Sequence, residues 1–162
     1  FYKRQPSGTV DKYTEDTRSN PYFTNDPLFH YQWNLYNDGS LDTYFSSGAD
    51  VGATYAWNLC GGDPRVVVAI IDGPVKYDHE DLADNMWVNQ KELQGTEGVD
   101  DDNNGYVDDI YGYNFAQGKG AIDWTGPGEL GHGTHVAGQV GAVNDNGKGI
   151  YTKHGGLRDK EN

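Results

Sequence analysis

Two segments of this chain carry residues able to act on a substrate. Asp72 follows directly on the apolar run Arg65-Val66-Val67-Val68-Ala69-Ile70-Ile71, and His132 stands in Gly131-His132-Gly133-Thr134-His135-Val136-Ala137-Gly138. A carboxylate that ends an apolar strand is costly unless something pairs with it, and an imidazole N–H is a natural partner. At a helix N-terminus the dipole disfavours imidazolium while a neighbouring carboxylate favours it, so the opposing effects leave a base usable near neutral pH. The bland readings are a strand-end turn for Asp72 and a structural His in a Gly-rich turn for His132. A zinc site from His132, His135 and Asp72 is a weaker pattern, because two His at i, i+3 with one acid fall short of the usual ligand set.

A second concentration of chemistry lies between the two. Residues 96–109 hold six acids, Glu97, Asp100, Asp101, Asp102, Asp108 and Asp109. Asp100, Asp102, Asn104, Gly105, Tyr106 and Asp108 match positions 1, 3, 5, 6, 7 and 9 of an EF-hand loop, with oxygen donors alternating inward and Gly at the sharp turn. Position 12, where a bidentate Glu belongs, is Tyr111, so the loop is EF-hand-like without its exiting helix. Clustered carboxylates repel unless a cation or water screens them. Ca2+ is the expected cofactor, against a merely solvated acidic turn.

The elements that must position these residues are few. The Val66–Ile71 run lacks polar alternation, which predicts a strand covered on both faces, as in the middle of a parallel sheet. Tyr111–Phe115 is the one other moderate strand. Ala49–Cys60 predicts a short amphipathic helix ending at Gly61-Gly62, and His132–Asn144 predicts a helix with Val136, Val140 and Val143 as its apolar stripe. Residues 1–24 read as linker or the remains of a pro-segment, 25–150 as one folded unit, and 151–162 as an atypical polar tail.

Composition narrows the function classes. A formal net charge of −13 over 162 residues argues against a phosphate-backbone partner, so no nucleic acid is expected. No apolar stretch reaches the roughly 20 residues that span a bilayer. A single Cys excludes an internal disulfide and makes Cys60 a small core residue. Leu, Ile, Val and Phe are sparse and Gly abundant at 23 residues, so the core is lean and tight turns are frequent.

Taken together, Asp72 with His79-Glu80-Asp81-Leu82 seven residues on, and His-Gly-Thr-His-Val-Ala-Gly from His132 to Gly138, resemble the subtilisin-like serine proteases, the subtilases, and look most like the secreted Bacteroidetes type. The resemblance runs from about Asn25 to Ile150. It implies an α/β chain, the incomplete amino-terminal part of a three-layer fold with a parallel central sheet. It implies that Asp72 orients the imidazole, that His132 is general base and then general acid, and that His135 is the family's second, non-catalytic His. The family's Gly-Thr-Ser-Met-Ala motif and its oxyanion Asn have no counterpart in the 162 residues, so the expected partners are a polypeptide substrate and the missing carboxy-terminal half, and the chain alone is expected to be inactive. A further calcium site, like the strong one of thermitase-like members, is implied at Asp26, Asp81 and Asn146, with carbonyls of Val143, Lys148 and Ile150. Secretion or a cell-surface or periplasmic location follows from the same likeness. An inactive calcium-binding extracellular module on a protease-like scaffold is the alternative. Pro74 stands where the family usually has Gly, which puts the turn after Asp72 in question if that turn needs φ > 0 or an N–H donor.

Overall fold

The computed structural model describes residues 24–57, 63, 65–124 and 131–152. The described residues divide into two compact units, one holding residues 33–57 and the other residues 24–32, 63, 65–124 and 131–152. Residues 1–23 of the expected 1–24 linker, Cys60 and all but the first two residues of the expected tail lie outside the described residues.

In the first unit, Asp50 organises the chain. Its Oδ2 accepts the Asn37 N–H at 2.9 Å and its Oδ1 the Gly52 N–H at 2.6 Å. Gly52 has φ +65°, so the helix cannot begin before the next residue, and α1 is Ala53–Ala56 rather than the longer helix expected from Ala49. Trp33 and Phe45 pack beside each other with centroids 5.2 Å apart.

The second unit contains 3-10 turns at Phe29–Tyr31 and Ala83–Asn85, the short α2 at Gln90–Gln94, and α3 at His132–Gly141. Its small core gathers Leu82, Ala137 and Ala142, with Ile70, Val75, Met86 and Ile150 packed against them. Gly133, Gly138 and Gly141 each cost the helix about 1 kcal/mol relative to Ala, so α3 is held by packing rather than by propensity. The buried face is correspondingly the small one, Gly133, Ala137 and Gly138, while Val136 and Val140 of the expected stripe are half-buried. The helix also stops short of Asn144. Ala142 turns to ψ 148°, and the Val143 N–H leaves the helix to donate to the Asp81 carbonyl at 2.8 Å.

The expected central sheet is not formed among the described residues. Val66, Val67, Val68 and Ile71 are exposed, Ile71 to 97%, and only Ile70 of the run reaches the core. A strand has no internal hydrogen bonds, and no described segment pairs with this one. Tyr111–Phe115 likewise contributes only an isolated antiparallel bridge between Asn114 and Lys119. Past Ile150, Tyr151 and Thr152 are buried: Gln32 Nε2 donates to the Tyr151 carbonyl and the Tyr151 N–H to Gln32 Oε1, both at 2.8 Å.

Candidate active site

Asp72 ends the apolar run and His132 is the first residue of α3. The Nδ1–H of His132 donates to Asp72 Oδ1 at 2.7 Å. A carboxylate can only accept, so this contact fixes the proton of the ring on Nδ1. The same Oδ1 accepts the Gly73 N–H at 2.6 Å. The His132 hydrogen bond foremost, and then the Gly73 N–H, hold the Asp72 carboxyl below its ordinary range, against a smaller opposing effect of burial. Asp72 is largely covered, with 18% of its side chain accessible, whereas the His132 side chain is 64% accessible. A shielded acid therefore orients an accessible imidazole, the arrangement a general base needs.

Glycine makes the approach possible. A Cβ on Gly133 would collide with the Gly73 carbonyl and lie 3.0 Å from the Pro74 carbonyl oxygen, so α3 can meet the segment after Asp72 only where its second residue has no side chain. Neither Gly73 nor Pro74 has positive φ, and proline at position 74 is compatible with the Asp72–His132 contact. His135 is the neighbour of Gln139, ring Nε2 to amide Nε2 at 3.5 Å, rather than a partner of His132 and Asp72.

The acidic loop is arranged differently from an EF-hand reading. Asp100 accepts the Asn104 N–H at 3.1 Å and the Gly105 N–H at 2.8 Å. Asp108, with φ +54°, turns both oxygens to the Gly98 N–H. Asn104 Oδ1 accepts the Tyr106 N–H at 2.7 Å. Of the expected set, Asp102 joins a convergent group with Glu92 and Asp109, one carboxylate oxygen of each lying within 4.8 Å of the others, and Asn104 Nδ2 donates to Asp109 Oδ2 at 3.0 Å. Asn89 Nδ2 bridges Asp102 at 3.0 Å and Asp109 at 2.8 Å, and its hydrogen bond is the main reason the Asp102 carboxyl is held low. Glu92 and Asp109 are buried. Glu92 had a signal in the sequence, an acid eight residues ahead of the loop, but nothing in loop spacing points to it.

The other expected calcium residues do come together. Asp26 Oδ1 accepts the N–H groups of Asn146 and Gly147 at 3.1 and 3.2 Å, and its Oδ2 that of Asp145 at 3.0 Å. Asp81 Oδ1 accepts Asn146 Nδ2 at 2.8 Å and Oδ2 the Ile150 N–H at 3.1 Å. Val143 donates its N–H to the Asp81 carbonyl, and Lys148 pairs its ammonium with Glu80 at 2.9 Å. Asn146 Oδ1 accepts the Lys148 N–H at 2.8 Å.

Comparison with known proteins agrees with this geometry. The family profile described as "Subtilase family" matches residues 63–159. Subtilisin-like protease 1 of Plasmodium vivax is 49% identical over 84 residues, 51% of this chain and 12% of the relative. Halolysin of Haloferax mediterranei is 30% identical over 144 residues, 86% of this chain and 21% of the relative. Neuroendocrine convertase 2 of Bos taurus is 33% identical over 132 residues, 81% of this chain and 17% of the relative. The chain thus spans between 12% and 21% of the length of these relatives. The narrower likeness to a Bacteroidetes type finds no support in them.

Proposed function

The chain belongs to the subtilase family, and on that premise we propose that it carries the acid–base pair of a serine endopeptidase. In this reading Asp72 stays ionised and orients the imidazole through Nδ1. His132 takes the proton of a serine hydroxyl as that hydroxyl attacks a peptide carbonyl, then gives it to the leaving amine. The serine and its oxyanion donors belong to polypeptide outside these 162 residues. The observation that carries the proposal is the 2.7 Å contact between two residues sixty positions apart, at the start of a helix and the end of an apolar run. The same pair speaks for a protease rather than an inactive calcium-binding module. A secreted location and a polypeptide substrate go with this reading. Among the described residues no helix is long and apolar enough to cross a membrane.

Calcium fits the donor set at Glu92, Asp102 and Asp109. Three carboxylates lie within one cation's reach, two of them buried; N–H and amide donors offset part of their repulsion, and a hard divalent cation would take the remaining lone pairs. Bound there, the ion would neutralise the cluster and tie α2 to the loop that follows it. The set implied by the resemblance, Asp26, Asp81 and Asn146 with the carbonyls of Val143, Lys148 and Ile150, is the second candidate.

The test uses a serine-directed phosphonate probe and a fluorogenic peptide. The 162-residue chain alone is expected to take no label and to cleave at the background rate. A longer polypeptide continuing it is expected to be labelled on one serine and to lose about 10⁶ in turnover in His132→Ala, the scale known for subtilisin itself. Labelling of a residue within this chain, or full turnover in His132→Ala, would overturn the proposal.

A further inference from the structure

We infer that Thr134 is a positioning residue for the Asp72–His132 pair, acting through a latch that joins the first turn of α3 to the segment after Asp72. The inference rests on the reading of that pair given above.

The Lys76 N–H donates to Thr134 Oγ1 at 3.0 Å, across 58 positions of sequence and in a part-buried setting. Thr134 lines a groove with Leu82, Trp124 and Ile150, so water competes weakly for this bond. On the other side of Gly133, the His132 side chain is 64% accessible, so water reaches the imidazole although Asp72 is largely covered. Two side chains of α3 thus reach the 72–76 segment, one on each side of the glycine that lets the backbones meet. A single bond between a helix start and a strand end leaves a hinge, and two bonds flanking a close backbone contact fix the rotation about it. Fixing that rotation is what keeps the imidazole in line with the carboxylate, since small losses of alignment are expensive in a proton-transfer pair. Pro74 adds to the need. It has no N–H, and the Gly73 N–H is taken by Asp72; the Lys76 N–H is the donor seen to reach the helix. Lys76 is itself held, with its ammonium 3.9 Å from the Trp124 ring centre and 2.7 Å from Asp78.

The test is proton NMR on the 162-residue chain, following the downfield Nδ1–H resonance of His132 and its exchange with water. Asp72→Asn is expected to remove the resonance. Thr134→Val, which keeps shape but removes the acceptor, is expected to speed exchange by about five- to tenfold, the factor one neutral hydrogen bond supplies. Thr134→Ser, which keeps the hydroxyl, is expected to restore slow exchange, a rescue that loss of packing alone would not give. If Thr134→Val disperses poorly through unfolding, Thr134→Ala leaves the same donor unpaired and is read by the same criterion. Parent-like exchange in a folded Thr134 variant, with the resonance lost in Asp72→Asn, would overturn the latch while leaving the pair intact. An unchanged resonance in Asp72→Asn would instead overturn the pair.

Discussion

Asp26 and Asp81 are buried acids, and so are Glu92 and Asp109; in both regions the carboxylates accept hydrogen bonds, but from donors placed differently along the chain. Around Asp26 and Asp81 the oxygens are taken up by donors of the 145–150 loop: N–H groups of Asp145, Asn146, Gly147 and Ile150, and the Asn146 amide. Gly149, at φ +53°, has no room for a Cβ beside Asp81. Three distant stretches of chain are stapled there by hydrogen bonds to charge, which are stronger than neutral ones. At Glu92, Asp102 and Asp109 the donors are local, the N–H groups of Asp102, Asn104 and Asp108 and the amides of Asn89 and Asn104, and they gather three carboxylates with one oxygen of each within 4.8 Å of the others. Donor dipoles surround the acids of both regions, which makes their burial tolerable. Among the described residues, only the second brings three carboxylates within one cation's reach. Buried acids thus form a staple or a candidate cation site according to whether the oxygens of several of them converge in space.

The widest separation between the regions comes from Asp81→Ala. Removing this acid orphans the Ile150 N–H and the Asn146 amide, and a loss of about 3 kcal/mol is expected in urea denaturation, the same with calcium or with a chelator present. Next in size is calcium itself. With the ion at about 100 times its dissociation constant, chelation should lower stability by about 2.7 kcal/mol, and Glu92→Gln should abolish most of that difference. Calcium dependence that survives Glu92→Gln and vanishes in Asp81→Asn would invert the comparison and move the ion to the staple.

The smallest effect belongs to Asp72, whose carboxyl is held low by the His132 hydrogen bond. A depressed acid contributes stability that is present above the ordinary carboxylate value and is lost as pH falls through the lower, folded-state value. The melting difference between parent and Asp72→Asn should therefore be constant near neutrality and shrink below about pH 4. Because the remaining acids titrate alike in both proteins, a difference that is flat down to the acid limit would show that Asp72 is not paired in solution. Site exposure keeps this effect below those at the two acidic regions.

The legibility of the molecule follows the same division. Asp72 and His132 were readable because their chemistry lies in residue type and immediate context: an acid at the end of an apolar run, and an imidazole between glycines. The loop between Asp100 and Asp108 was readable as acidic and turning, but Asp108 adopts positive φ and faces Gly98, while Asp109 takes the inward place beside Asp102. Loop spacing could not reveal that, since one left-handed residue exchanges which neighbour points inward. In α3 the period of valines suggested the buried stripe, whereas the glycine and alanine face is the one that packs, against the backbone of Gly73 and Pro74 at Gly133 and against Leu82 and Ile150 farther along. The Val66–Ile71 run was expected between neighbouring strands and stands exposed, because a strand takes its hydrogen bonds from segments that its own sequence does not specify.

By itself the sequence determined the reactive types, their order and the glycines that allow close approach, since these depend on side-chain chemistry and local backbone freedom alone. Only the tertiary structure decided which acids face each other, which helix face is buried and which N–H groups complete each carboxylate. Those outcomes depend on where remote segments of the chain pass, and proximity in space is not written in spacing along the chain.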